Sequence, residues 1–146
     1  MQIETTRFGC LEVDSESLVL LPEGLAGFES QRHWAILREA DSDSVGWLQS
    51  VDDPSVALPV VTPQQYVENY ELKFFRSELS SLPWNPDDET LVLAVVSRSA
   101  GHFTLNLKAP VLINLDRGLG RQILATDDQP LQYAIPNQLS PLRKSA

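Results

Sequence analysis

The longest apolar run in this chain of 146 residues is Leu91-Val92-Leu93-Ala94-Val95-Val96, and it decides the fold class. A short apolar run rich in valine is typical of a β-strand whose two faces are both buried. The run is far shorter than the roughly 20 residues that a membrane-spanning helix needs. It therefore predicts a central strand in a folded domain.

Further strand patterns follow on the C-terminal side of this run. From residue 102 to residue 108, apolar and polar side chains alternate, which directs Phe103, Leu105 and Leu107 to one face of a strand. A glycine-containing turn is predicted at residues 116–120, where it would join two antiparallel strands as a hairpin. The other predicted short strands are residues 18–21, 34–37, 111–115, 123–125 and 131–135.

Only the middle of the chain has helical patterns. Thr62 precedes a proline at the first helical position, which predicts a helix from there to about Tyr70. A second short helix is predicted over residues 75–82 from the spacing of its apolar side chains. The fold class is therefore all-β and mainly antiparallel, a small β-barrel-like domain with one or two short helices in the middle of the chain. Residues 1–136 are expected to form this single domain, and residues 137–146 a loose C-terminal tail.

The charge balance limits the classes of partner. Eleven Lys and Arg oppose twenty Asp and Glu, which gives a formal net charge of -9. Nucleic acids and anionic lipid surfaces need cationic neutralisation, so neither is an expected direct partner. A basic protein is compatible with this charge. The N-terminal residues have no basic segment followed by an apolar one, so no signal peptide is expected and the predicted location is the cytoplasm.

No catalytic motif is present in the sequence. Phosphate-binding glycine loops and the nucleophile elbow are both missing, and the two histidines lack partners at metal-ligand spacing. We therefore predict no enzyme activity, no metal and no cofactor. The alternative is a small-molecule-binding barrel, or a hydrolase that uses Ser50, Asp52 and His102. The single cysteine, Cys10, is interpreted as a small buried apolar side chain.

Several segments, in order along the chain, resemble the FliW family of flagellar assembly factors. Residues 20–29 (LLPEGLAGFE) resemble its G-L-P-G-F-E element, and residues 47–54 (WLQSVDDP) its L-Q-S-x-x-D-P element. Residues 58–63 (LPVVTP), with Tyr70 after them, are similar to its apolar strand, proline and tyrosine. Residues 106–114 (NLKAPVLIN) resemble N-L-x-A-P-[IV]-x-[IV]-N, and residues 120–123 (GRQI) the element that follows it. The ordered set is more specific than any one element.

The sequence departs from the family pattern at three positions. Ala26 replaces a common proline, Leu58 a common phenylalanine, and Asn69 a common aspartate. All three changes are mild and are expected to leave the fold intact. The third bears on any role of that acidic position, so we assign none to Asn69.

The resemblance implies a regulator that works by exchanging protein partners. Members of this family bind the carbon storage regulator CsrA, a small basic RNA-binding dimer, and stop it from repressing flagellin translation. They also bind flagellin, which competes with CsrA. The residues that the resemblance makes candidates for partner contact are Glu23, Gly24, Phe28, Glu29, Gln49, Ser50, Asp52, Asp53, Asn106 and Asn114.

A structural role is the competing interpretation for each of these residues. Phe28 is expected to anchor its loop in the core, and Asn106 and Asn114 to bond loop backbone groups. Leu48 is expected to point inward. The polar residues after it, Gln49, Ser50, Asp52 and Asp53, are expected to be exposed at the end of a strand.

Overall fold

The computed structural model describes residues 1–38, 45–80 and 82–136, and within them the chain forms eleven β-strands. The strands are β1 (Gln2–Thr5), β2 (Gly9–Glu12), β3 (Leu18–Leu20), β4 (His33–Arg38), β5 (Gly46–Ser50), β6 (Ala57–Val61), β7 (Thr90–Ser99), β8 (His102–Leu105), β9 (Val111–Asn114), β10 (Leu119–Gln122) and β11 (Tyr133–Ile135). Three single turns of 3₁₀-helix, at Ser15–Ser17, Pro63–Gln65 and Arg76–Leu79, are the only helical segments in these residues. The predicted all-β class is confirmed; the predicted tail at residues 137–146 lies outside the described residues.

Seven of the strands close into a barrel. Their order is β7-β6-β5-β4-β3-β10-β9, and β9 returns to pair with β7. The contact between β10 and β3 is parallel and every other pairing in the barrel is antiparallel. The hairpin predicted at residues 116–120 is confirmed, since β9 and β10 pair with Asn114 opposite Leu119.

The apolar run that decides the fold class is the centre of β7, and both of its faces are buried. Leu93 lies inside the barrel in an inner core that also contains Trp34 and Leu48. Ala94 and Val96 point the other way, into an outer core between the barrel wall and the added strands β8 and β11. The prediction of a strand buried on both sides is thus confirmed, because β7 divides two apolar clusters.

The β1–β2 hairpin covers another part of the outer barrel wall. Ala35 faces away from the inner core on β4, and it packs with Ile3 and Val13 in a third small apolar cluster. Cys10 is exposed on this hairpin, so the expectation that it is buried is wrong. The hairpin is an isolated pair of strands, and a two-stranded pair can bury side chains only on the face that packs against the barrel.

The helices predicted in the middle of the chain are shorter than expected. The Thr62 side chain makes no capping hydrogen bond, and the turn that follows ends at Gln65 rather than near Tyr70. Asn69 has a left-handed backbone (φ 58°), which an α-helix does not accommodate, and Tyr70 instead enters the outer core. The second segment is likewise reduced to Arg76–Leu79.

Residues 123–125 are not a strand, although their apolar side chains behave as predicted. Ile123 and Ala125 are buried, and their backbone N–H groups donate to the carbonyls of Pro110 and Lys108, each at 2.8 Å. The segment opposite them is interrupted by Pro110, which has no N–H to donate. Residues 123–125 therefore show the alternating burial of a strand without the regular backbone hydrogen bonds of a β-sheet.

Candidate functional site

The loop of residues 21–32, which carries the first family-like element, is held by its own backbone. Gly24 has φ +64°, and its N–H donates to the carbonyl of Leu21 at 2.8 Å. A Cβ at this position would lie 2.4 Å from the carbonyl oxygen of Phe28, so only glycine fits. Phe28 packs edge-on against Trp34, with ring centroids 6.4 Å apart, which confirms the prediction that it anchors the loop.

Two later elements of the resemblance meet this same loop. The Gln122 side chain accepts a hydrogen bond from the N–H of Ala26 at 2.8 Å and donates to the carbonyl of Ala109 at 2.9 Å. Asn106 then accepts a hydrogen bond from the N–H of Ala109 at 2.9 Å, as predicted for a loop-bonding asparagine. Segments far apart in sequence are thus joined through side-chain amides.

The acidic residues of the 21–32 loop differ in their partners. Glu23 lies 2.6 Å from the guanidinium of Arg121, and Arg121 also lies 3.6 Å from Glu78. The carboxylate of Glu29 is exposed and forms no hydrogen bond or ion pair with another described residue. Of these two candidates, only Glu29 keeps its full bonding capacity for a partner.

The loop of residues 49–56 places its first polar residues inside the protein. Gln49 and Ser50 have no solvent exposure (0 %), so the expectation that they are exposed is wrong. The Gln49 amide donates to the carbonyls of Ser50, Pro54 and Val56 at 2.9, 3.2 and 3.1 Å, and the Ser50 hydroxyl accepts from the N–H of Asp53. The chain folds back over the end of β5, and these side chains satisfy the carbonyl and N–H groups that it buries. Leu48, at 0 % exposure, points inward as predicted.

Asp52 ties the 49–56 loop to the 21–32 loop. Its carboxylate accepts hydrogen bonds from the backbone N–H groups of Arg32 at 2.9 Å and His33 at 3.1 Å, and the His33 Nδ1 lies 3.2 Å away. These interactions, the His33 N–H first among them, lower the pKa of Asp52 below its ordinary value. Asp53 accepts hydrogen bonds from the hydroxyl and N–H of Ser55, which lower its pKa as well.

Asn114 has a similar structural role at the end of β9. It is completely buried (0 %); its carbonyl oxygen accepts from the N–H of Arg117, and its amide donates to Asp88 at 2.8 Å. Asp88 also accepts from the Arg117 Nε at 2.6 Å. The bond from Asn114, then that from Arg117, lowers the pKa of Asp88. The prediction that Asn114 bonds a loop is confirmed.

The structure gives no support to the hydrolase alternative. The Ser50 hydroxyl is completely buried, and Asp52 contacts His33 rather than His102. His102 lies at the β7–β8 turn, opposite Ser99. Within residues 1–38, 45–80 and 82–136, no group of three or more His, Cys, Asp or Glu is placed to hold a metal ion.

An acidic groove, which shares only Trp47 with the family-like elements, lies between the β1–β2 hairpin and the ends of β7 and β9. It has a volume of about 710 Å³. Its apolar side chains are Phe8, Leu11, Val13, Ile36, Leu37, Trp47, Leu91 and Leu115, and its acidic ones are Glu12, Asp14, Glu16 and Glu89. A second hollow of about 670 Å³, which includes Asp52 and Asp116, shares Glu16 and Leu115 with it.

The acidic groove is not visible in the sequence. Its residues come from five separated segments (residues 8–17, 36–38, 47, 89–91 and 115), and only the tertiary fold brings them together. The one available signal was the acidity of residues 12–16, where three of five side chains are acidic. Acidic residues at a turn are common on any surface, so that signal was not specific.

The comparisons with known proteins agree with one another over nearly the whole chain. The sequence model described as FliW protein matches residues 2–135. A flagellar assembly factor FliW of Magnetococcus marinus is 33% identical and covers 100% of this chain and 93% of its own length. Another, of Geobacter sulfurreducens, is 35% identical over 85% of this chain and 79% of its own length.

A solved structure shares the architecture. The crystal structure of a flagellar assembly factor FliW superposes with a TM-score of 0.84 and covers 95% of this chain and 100% of its own length, at 23% sequence identity. At 23% identity, this structural similarity shows the fold alone. No helix in the described residues is long and apolar enough to cross a membrane.

Proposed function

Because the chain belongs to the FliW family of flagellar assembly factors, we propose that it regulates flagellin supply by exchanging two protein partners. One partner is the carbon storage regulator CsrA, the basic RNA-binding dimer, which the chain sequesters so that flagellin translation proceeds. The other is flagellin itself, which competes for the chain and releases the regulator when flagellin accumulates. The observation that carries this proposal is the family match over residues 2–135.

The charge of the chain supports the first partner. A net charge of -9 attracts a basic protein over distances of about 8–10 Å, the screening length at ordinary ionic strength, and accelerates the encounter. The same charge disfavours direct contact with RNA, so regulation acts through the RNA-binding protein. The site of action is then the cytoplasm, where the message is translated.

Assembly factors have a non-enzymatic role, and the polar residues of the family-like elements fit that role. Gln49, Ser50 and Asn114 are completely buried and bonded to their own chain. They hold the barrel loops in shape. Among the candidate contact residues, Glu29 is exposed without a described partner, and we assign it to partner contact. We also assign residues 1–136 to one folding unit and residues 137–146 to a tail.

The test is a competition experiment with purified proteins. The chain is titrated with the regulator from the same organism, and flagellin is then added to the complex while the free regulator is measured. We expect the chain to bind both proteins and flagellin to displace the regulator. In a second assay, flagellin mRNA that includes its 5′ leader is translated in vitro. The regulator should repress this translation, and addition of the chain should restore it.

Two outcomes would contradict the proposal. If the chain binds neither protein, the exchange mechanism is wrong. If it binds flagellin and leaves the regulator and translation unaffected, the chain is a dedicated flagellin chaperone without a regulatory branch.

A further inference from the structure

We propose that the acidic groove is where the chain receives its basic partner, through a segment that carries Lys or Arg beside apolar side chains. This inference rests on the proposed function, because it assigns a surface to one of the two proposed partners. It concerns a surface that, apart from Trp47, lies outside the family-like elements of the sequence.

The apolar part of the acidic groove is open to a partner. Leu115 is 37% exposed at the groove, and Leu11 and Leu91 are partly buried. A volume of about 710 Å³ lies in the range of pockets that take a ligand or several side chains of a bound peptide. Filling it would remove apolar surface from water, which favours binding.

The charges around these apolar residues are mostly negative. Four carboxylates line the acidic groove against one basic side chain, Arg38. Glu12 is paired with the N-terminal amine at 2.9 Å. Asp14, Glu16 and Glu89 form no hydrogen bond or ion pair with another described residue through their side chains. These three keep their capacity to bond ammonium or guanidinium groups.

Three of the four acids in the family-like elements are placed differently, and Glu29 is the exception because its carboxylate bonds no other described residue. Asp52 and Asp53 accept two or more hydrogen bonds from their own chain, and Glu23 is paired with Arg121. A partner that used them would have to compete with these existing bonds. The free carboxylates beside apolar surface make the acidic groove the better match for a basic amphipathic segment.

A second copy of the chain is a poor occupant of the acidic groove. Its net charge of -9 would bring like charges together at the contact. A basic partner meets the acidic rim with opposite charge and the apolar floor with its own apolar side chains. The basic partner is therefore the occupant of the acidic groove.

The experiment measures affinity for two partners with charge-reversed variants. Glu16→Lys with Glu89→Lys changes the acidic groove, and Glu68→Lys with Glu71→Lys is the matched control, since all four residues are exposed acids. Both double variants change the net charge equally. The probes are the RNA-binding regulator dimer and flagellin, each titrated at low and at physiological salt, after circular dichroism has shown that the variants unfold at the temperature of the unaltered chain.

We expect the groove variant to bind the regulator at least about tenfold more weakly and with less salt dependence, and the control within about threefold. Flagellin affinity should change within about threefold for both. Leu115→Ser, which removes apolar surface without changing charge, should weaken regulator binding by roughly threefold to tenfold.

The inference is overturned if both double variants bind the regulator alike while the unaltered chain binds it well, and that result leaves the proposed function standing. If the unaltered chain does not bind the regulator at all, both fail. A dimer of the unaltered chain that light scattering detects and the groove variant abolishes would assign the acidic groove to a second copy and also overturn it.

Discussion

Polar residues have opposite roles in two regions of this barrel. One region is the pair of motif loops, residues 21–32 and 49–56, and the other is the acidic groove. In the motif loops, the side chains of Gln49 and Asp52 bond backbone groups of the same chain. In the acidic groove, the carboxylates of Glu16 and Glu89 bond no other described residue. This difference in bonding indicates that the residues that identify the family need not be the residues that contact a partner.

The physical reason is the cost of burial. A barrel loop that folds back over a strand end removes carbonyl and N–H groups from water, and each must regain a hydrogen bond. Gln49 and Ser50 supply those bonds from inside the 49–56 loop. A binding surface has the reverse requirement, since its polar groups must stay solvated until a partner replaces the water.

Replacing Gly24 with alanine should have the largest effect on the motif loops. The new Cβ would lie 2.4 Å from the Phe28 carbonyl oxygen in a backbone with φ +64°. We expect a loss of about 3–4 kcal/mol in the free energy of unfolding, from steric overlap and a strained backbone together. Gly27→Ala is the matched control: it has φ +87° and open space around the new Cβ, and should cost about 1 kcal/mol. Equal losses in urea unfolding would show that the 21–32 loop relaxes around the substitution.

Replacing Gln49 with leucine should have the next largest effect. The change keeps most of the side-chain volume but removes the amide whose two N–H groups are shared among the carbonyls of Ser50, Pro54 and Val56. We expect a loss of about 2–3 kcal/mol, with the affinity of the remaining folded protein for the regulator unchanged. The same change at the exposed Gln64 should stay within about 0.5 kcal/mol. A loss of affinity without a loss of stability would instead make Gln49 a contact residue.

Replacing Asp52 with asparagine should alter how the free energy of unfolding depends on pH. Hydrogen bonds from the backbone N–H groups of His33 and Arg32 lower the pKa of Asp52 in the folded chain below its ordinary value of 3.8. Its stabilising contribution is therefore present above about pH 4 and is lost as the pH falls through the lowered pKa.

Urea unfolding at neutral pH and at several acidic values checks this prediction. The Asp52→Asn variant should be less stable than the unaltered chain at neutral pH and should lose less stability on acidification. Glu16→Gln, whose carboxylate bonds no described residue, serves as the control and should follow the curve of the unaltered chain. If the Asp52→Asn curve also follows the unaltered chain, Asp52 is not a structural link between the two motif loops.

Replacing Glu23 with glutamine should have the smallest effect. Its ion pair with Arg121 is largely exposed on the Glu23 side (61%), and such pairs contribute about 0–1 kcal/mol. We expect a change within about 0.5 kcal/mol in stability and within about threefold in affinity for either partner. A clear drop in affinity alone would move Glu23 from the structural group to the binding surface and weaken the contrast between the motif loops and the acidic groove.

The sequence by itself determined the central strand, the fold class and the family, but not every strand: β1, β2 and β5 were not predicted, and the strand predicted at residues 123–125 is absent. An apolar valine-rich run such as residues 91–96 and an alternation such as residues 102–108 are local patterns, and backbone geometry converts them directly into buried faces. The ordered elements between residues 20 and 125 likewise need no coordinates, and the roles of Leu48, Phe28 and Asn114 followed from residue type and position.

Only the tertiary structure decided which polar residues are buried and where a partner would find free charge. Gln49 and Ser50 were expected in solvent because they are polar and end a strand, and they are buried because the chain returns over them at Pro54 and Val56. The acidic groove depends on Glu16, near the N-terminus, and Glu89, in the middle of the chain, lying at one surface. Hydrogen bonds and electrostatic interactions act through space. Side chains distant in sequence therefore determine which polar residues are buried and which charges stay free, and no local sequence pattern predicts which of them will be in contact.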